Sequence, residues 1–175
     1  MSGRLVRFFL VFGALCLALA GSAWLLGVRF TLTPSIPIGF YRYTGEEPAP
    51  GRLAIFCPPA HIASPALVRG YLHRGRCPGG VEPLGKYVLA VAGDSVHLTP
   101  DGIFVNGRRL EGSAVLHRDS RGRKLPYYPF GEYVVGADSL FMFSGHHPRS
   151  FDSRYYGPVP RSNVISTARP LWIFD

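Results

Sequence analysis

Residues 8–28, FFLVFGALCLALAGSAWLLGV, contain no charged side chain. At about 1.5 Å per residue, a helix of this length covers a hydrocarbon layer of about 30 Å, so the segment is a candidate membrane span. Arg4 and Arg7 precede it, Arg29 closes it, and Trp24 lies near the far end, where an indole prefers the interface. A cleaved secretory signal is the alternative, because Ala18-Leu19-Ala20 has the small-x-small form that a signal peptidase accepts. Trp24, Leu25 and Leu26 carry the apolar stretch beyond that cut, which favours a retained anchor. Both readings export the rest of the chain. Basic residues flank both ends and do not orient the span by themselves, since Arg4 and Arg7 face Arg29 and Arg42 across it. The chain is therefore expected to divide into an anchor over 1–29 and one domain over 30–175.

The chain as a whole has the composition of a packed protein. With 47% hydrophobic and 17% charged residues in 175, and 21 Gly and 16 Pro spread without a repeat, the chain is neither disordered nor collagen-like. A net charge of +8 raises the question of nucleic acid, but only Lys86 and Lys124 among the 19 basic residues are lysines. Scattered arginine suits anionic lipid as well as phosphate. The densest cluster, Arg118, Arg121, Arg123 and Lys124, sits among Gly, Ser and Asp with no helical pattern and no row of aromatics. It reads as a solvated loop, and nucleic acid is not an expected partner.

Cys16 falls in the apolar span and is most simply a small lipid-facing residue. Cys57 and Cys77 each adjoin proline in loop-like surroundings, which suggests a disulfide and hence an oxidising compartment. Two unrelated buried thiols are the alternative.

Beyond Phe30 short apolar runs alternate with turn signals and helical periodicity is nearly absent, the pattern of a small, mainly β barrel or sandwich. Strands are expected at Leu53-Ala54-Ile55-Phe56, over 87–92, at 95–98 and 103–105 as a hairpin, and at 132–135, 140–143 and 171–174. Asn106-Gly107 is a second tight turn. One soluble helix is expected over 62–73.

Three places carry polar residues that a plain β domain would not need. Ser35 stands between Pro34 and Pro37, which stiffen the segment that presents its hydroxyl. Lys86 sits in an apolar setting, and lysine, unlike arginine, can lose its proton when desolvated and so act as a general base. Its plain alternative is a strand-end lysine reaching solvent. Ser150, Asp152 and Arg154 alternate, so an extended backbone would put them on one side and let Asp152 and Arg154 pair across the pleat. A surface ion pair of little energetic worth is the alternative there.

Taken together these segments carry a resemblance. The run from Lys86 through Tyr87-Val88-Leu89-Ala90-Val91-Ala92-Gly93 to Asp94 resembles the lysine box of type I signal peptidases. Ser150-Phe151-Asp152-Ser153-Arg154-Tyr155-Tyr156-Gly157 resembles their carboxy-terminal box, and Gly51-Arg52-Leu53-Ala54-Ile55-Phe56 the strand box in between. Ser35 follows a single span as their nucleophile does. Within that superfamily the chain is most similar to the conjugative-transfer, TraF-type signal peptidases. The likeness rests on Thr33-Pro34-Ser35-Ile36-Pro37-Ile38-Gly39, on Cys77-Pro78-Gly79-Gly80 ahead of the lysine box, and on the small domain after one span. Tyr87 stands where arginine is frequent, and Gly145-His146-His147-Pro148 where housekeeping enzymes are rich in Asp and Asn.

The resemblance implies a single transmembrane helix followed by a small all-β, signal-peptidase-like catalytic domain. It implies Ser35 as nucleophile and Lys86 as general base, with the Ser35 backbone N–H and the Thr33 hydroxyl as oxyanion donors. Ser150 would orient the Lys86 amine, and Asp152 and Arg154 would brace that wall by a salt bridge. Neither a cofactor nor a metal is called for. The implied substrate is an exported precursor protein, the conjugative pilin precursor foremost, and some relatives go on to cyclise pilin. The implied place is the inner membrane, with lipid around the anchor, the catalytic domain in the periplasm, and conjugation or type IV secretion components as neighbours. Other readings are a housekeeping-type signal peptidase and a non-catalytic, membrane-tethered β domain of such a complex. A zinc hydrolase built on His146, His147 and either Asp152 or a cysteine is disfavoured, because adjacent histidines in a strand point to opposite faces and no H-E-x-x-H spacing exists.

Overall fold

The computed structural model describes residues 3–174. The apolar run forms one helix, α1 (Gly3–Leu25), with none of its residues buried against protein and a mean hydropathy of 2.2 over its most apolar 18-residue window. It is long and apolar enough to cross a membrane. The helix hands over to the domain through a turn at Gly27 (φ +79°), whose carbonyl accepts the Tyr43 N–H at 3.0 Å. The Arg29 guanidinium lies over the Trp24 and Tyr43 rings, 4.5 and 5.3 Å from their centroids, and donates to the Trp24 carbonyl.

The remainder is mainly β, as the alternation of short apolar runs and turns requires. One antiparallel sheet takes β1 (Val28–Thr31), β2 (Gly39–Tyr43), β3 (Leu53–Phe56), β5 (Leu84–Ala90), β10 (Ser139–Phe143), β11 (Val159–Pro160) and β12 (Val164–Ile173), in the order β1-β2-β12-β3-β5-β10-β11. A second sheet is built from β6 (Ser95–Thr99), β7 (Gly102–Val105), β8 (Arg108–Leu110) and β9 (Gly131–Val134), in the order β8-β7-β6-β9. Asn106 (φ +49°) and Gly107 (φ +77°) form the expected tight turn between β7 and β8, both in the left-handed region that a two-residue hairpin loop demands. The main core lies between the sheets, around Ala90, Val96, Leu98, Ile103 and Phe141. A second cluster, with Phe56, Val88, Met142 and Val159, packs on the large sheet.

Several expected elements fall where the pattern puts them, β3 to the residue. Five do not come out of the apolar runs: β1, β2, β4 (Arg74–Cys77), β8 and β11. They are short, rich in arginine or glycine, or end at proline, and their pairing is decided by neighbours rather than by their own composition. β12 is ten residues long instead of the four expected, because its first half pairs with β3 and its second with β2. Pro170 is accommodated by a register shift between Pro170 and Trp172.

The soluble helix, α2 (Ala60–Arg69), lies earlier than the 62–73 expected. Gly70 adopts the left-handed conformation (φ +74°) and ends it, so Leu72 and His73 belong to the loop beyond. α2 covers a small cluster with Ala63, Ala66, Leu72, Cys77 and Val81.

Candidate active site

Ser35 lies on the turn between β1 and β2, and Ile36 beside it is buried with Tyr41 and Leu53, so the turn is pinned from below. The Tyr41 hydroxyl donates to the Pro37 carbonyl at 2.8 Å, and the Ser144 hydroxyl donates to the Ser35 carbonyl. The stiff proline segment thus does present its serine. Ser144, which follows β10, belongs to none of the motifs; its only clue is that β10 lies beside β5.

Lys86 alternates with Val88 and Ala90 on the inward face of β5, since residues two apart in a strand share a face. It is not a strand-end lysine reaching solvent. Only 1% of it is exposed. Its Nζ donates to Ser35 Oγ at 2.6 Å and to Ser150 Oγ at 2.7 Å. Burial pulls the amine down to about 8, with Asp152 pushing it back up and Arg154 adding to the fall.

Ser150, Asp152 and Arg154 do meet, but not through an extended backbone. Asp152 is the N-cap of a single turn, α3 (Ser153–Tyr156), and accepts the Arg154 N–H, as an aspartate at that position is suited to do. The ion pair therefore forms within one turn rather than across a pleat. Arg154 Nε reaches Asp152 Oδ1 at 2.8 Å and Nη2 reaches Oδ2 at 2.9 Å, both side chains being fully buried, so this is no surface pair. The same guanidinium donates to the Ser150 carbonyl at 3.1 Å and to the Ala114 carbonyl at 2.8 Å, and sits 4.8 Å from the Phe143 ring centroid. Its own positive character is strengthened: desolvation pulls its pKa down, but the Asp152 carboxylate more than offsets this.

Ser35 and Lys86 open into a cleft of about 480 Å³ with largely apolar walls, among them Leu32, Pro34, Leu116, Leu125 and Phe151. Thr33 lines it too, exposed, its hydroxyl 3.4 Å from that of Thr31. The basic cluster is more than the solvated loop expected. Arg118, Arg121 and Lys124 are exposed, but Asp119 is buried among them, accepting from Arg123 Nε at 2.6 Å and from the Tyr71 hydroxyl at 2.7 Å. This fastens the segment to the residues after α2 as one wall of the cleft. An acid inside a run of arginines gives no periodic signal, so this wall has no signature in the sequence.

Cys57 and Cys77 form a disulfide, with their Cα atoms 5.4 Å apart, and Cys16 is free and exposed on α1. His147 Nδ1 accepts the Arg149 N–H, and among the described residues no three His, Cys, Asp or Glu side chains gather as a metal site would need.

Comparison with known proteins agrees with this arrangement. Residues 6–173 match the family described as signal peptidase, peptidase S26. Plasmid transfer protein TraF of Escherichia coli is 40% identical over 169 residues, covering 96% of each chain. Conjugal transfer protein TraF of Agrobacterium tumefaciens (strain 15955) is 42% identical over 160 residues, 90% of this chain and 89% of that one. Signal peptidase I of Leptolyngbya laminosa is 31% identical over 87 residues, 50% of this chain and 39% of that one. A serine, a buried lysine and a cleft on a β scaffold behind an apolar helix, together with a match that spans nearly the whole chain, lead to one conclusion: the chain belongs to the signal peptidase family, peptidase S26.

Proposed function

We propose that this protein is a membrane-anchored serine endopeptidase working through Ser35 and Lys86, and that its substrate is an exported precursor, the conjugative pilin precursor foremost. The observation that carries the reading is the 2.6 Å contact between Ser35 Oγ and Lys86 Nζ, the lysine being buried. Serine is a weak nucleophile until a base lies within hydrogen-bond reach. A lysine brought down to about 8 has enough free amine near neutrality to serve as that base.

In this mechanism the neutral Lys86 amine takes the Ser35 proton as Oγ bonds to the scissile carbonyl carbon. The ammonium then delivers that proton to the departing amine as the C–N bond breaks. Ser150 accepts from the amine and keeps its lone pair aimed at Ser35. The Ser35 N–H and the Thr33 hydroxyl are assigned to the oxyanion, Pro34 having no N–H to offer. Water releases the acyl group as an acid; an amine at the same place closes a new peptide bond, which is the route to a cyclic pilin.

We assign residues 1–29 to the anchor and 30–175 to the catalytic domain, with Val28 and Arg29 already pairing in β1 as the join between them, and the domain lying in the periplasm, where a disulfide persists. Support for contact with inner-membrane lipid comes from Phe30, Phe40, Trp172 and Phe174, exposed on strands and a strand end beside the anchor. The similarity to plasmid and conjugal transfer proteins supports work alongside conjugation or type IV secretion components. Envelope proteins of a Ser35→Ala strain, compared with wild type by mass spectrometry, provide the test. An uncleaved membrane precursor accumulates in the variant on this reading, and an unchanged envelope proteome refutes it.

A further inference from the structure

Besides Tyr71 and Tyr155, six acidic or basic side chains line the cleft: His73, Glu82, Lys86, Arg118, Asp119 and Arg149. Lys86 is buried beneath Ser35. Both acids are already engaged, Glu82 with His73 at 2.9 Å and Asp119 with Arg123 at 2.6 Å. Arg118 and Arg149 are left over. Both are exposed, and among the described residues neither has a carboxylate within ion-pair range.

The two cations line the same cleft as Ser35 and Lys86. Arg149 immediately precedes Ser150, the residue hydrogen-bonded to the Lys86 amine. Arg118 belongs to the wall fastened through Asp119, and that wall is preorganised. Arg69 Nη1 donates to the Lys124 carbonyl at 2.6 Å, Arg123 Nη2 donates to the Arg69 carbonyl at 2.8 Å, and Tyr71 donates to Asp119. Arg118 Nη1 donates to the Gly122 carbonyl at 2.7 Å, which steadies the guanidinium and leaves most of its five N–H groups for a ligand. Its planar fork matches a carboxylate, and the apolar walls around it strengthen the attraction relative to open water.

Resting on the Ser35–Lys86 reading of this cleft, we propose that Arg118 and Arg149 are specificity-determining residues that select peptides carrying Asp or Glu close to the scissile bond. The two arginines read the acid, and the apolar walls take its neighbours. A basic residue at the same place meets two uncompensated positive charges and is rejected.

The test uses the full chain in detergent with Ser35→Ala, so that bound peptide is not turned over. Two fluorescein-labelled decapeptides serve as probes, one alternating Ala and Glu and the other alternating Ala and Lys, read by anisotropy at low salt. The expected result is binding of the Glu peptide about tenfold or more tighter than the Lys peptide, a preference that weakens at high salt. Adding Arg118→Gln and Arg149→Gln abolishes the preference, and Arg118→Glu with Arg149→Glu reverses it. Arg108→Glu with Arg109→Glu, on exposed β8 outside the cleft, leaves it in place. Equal binding of the two peptides, or a preference lost through Arg108 and Arg109 instead, overturns the proposal. Failure of the Ser35–Lys86 reading would appear separately, as precursor processing that survives Ser35→Ala while the charge preference stands.

Discussion

The Arg154 guanidinium donates to the Ser150 carbonyl at 3.1 Å while the Ser150 hydroxyl accepts from Lys86 at 2.7 Å. The orientation of the lysine is thus passed down to a buried ion pair. Arg154 is held by Asp152 on one side and by the Ala114 carbonyl on the other, so the small turn α3 acts as the foundation of the site.

Removing the Asp152 charge should therefore damage both stability and the site. Asp152→Asn leaves a fully buried guanidinium without its counter-charge, a change expected to cost about 3–5 kcal/mol. Denaturant unfolding in detergent checks it, a loss below about 1 kcal/mol being incompatible with a buried pair. Ser150→Ala, by contrast, is expected to leave stability nearly intact and to lower kcat by about a hundredfold with little change in KM, because it misaligns the amine without touching the cleft walls.

Ser35→Ala and Lys86→Ala should each abolish processing while the protein remains folded and in the membrane, each removing one half of the proposed two-group proton relay. Lys86→Arg should be equally inactive, since guanidinium cannot accept a proton near neutrality. Immunoblotting of precursor and mature product decides this, and substantial processing by Lys86→Arg would dismiss lysine as the base.

On the proposed mechanism activity should rise with pH through a midpoint of about 8, since the neutral amine would be the working form of Lys86 and burial brings its pKa to about 8. Chelators should leave the rate unchanged. A rate profile falling across pH 7 to 9, or a loss under chelation that zinc restores, would point to other chemistry.

The same shift has a consequence for stability. The folded state releases the Lys86 proton near pH 8 and the unfolded chain near 10.5, so between these values the unfolded state binds more protons and stability rises with pH. Lys86→Met should be inactive yet more stable than wild type at pH 7, by about 1–3 kcal/mol, because it removes the cost of burying a charge. The gain should fade above pH 10. A variant less stable than wild type at pH 7 would contradict the desolvation that lowers the amine.

Cys57→Ser should lower stability by about 2–5 kcal/mol and leave the chemistry intact, as the disulfide closes the segment holding α2 rather than touching Ser35. Alkylation of unreduced protein from intact envelopes should label Cys16 alone. Protease added outside the inner membrane should reach the domain, and a shielded domain would reverse the assigned topology.

The apolar run, the β character of the rest, the paired cysteines and the three chemical segments around Ser35, Lys86 and Ser150 were legible from the residues, because each is a local pattern: length without charge, alternation of period two, proline beside serine, a lone lysine among apolar neighbours. Their meeting was not. Lys86 faces inward because it alternates with Val88 and Ala90, and it sits deep because β5 is an interior strand, paired by β3 on one side and by β10 on the other. Asp152 and Arg154 alternate as a strand would, yet they close a helical turn, since Asp152 can cap the backbone N–H groups just beyond it and Gly157 (φ +77°) can end the turn at once. The cleft wall carrying Arg118 lay hidden for a similar reason: a buried Asp119 inside a basic cluster makes sense only once Tyr71 and Arg69, far away in the chain, have been brought against it. Local chemistry names the groups, whereas their distances and protonation follow from long-range pairing and burial, which no local stretch of sequence contains.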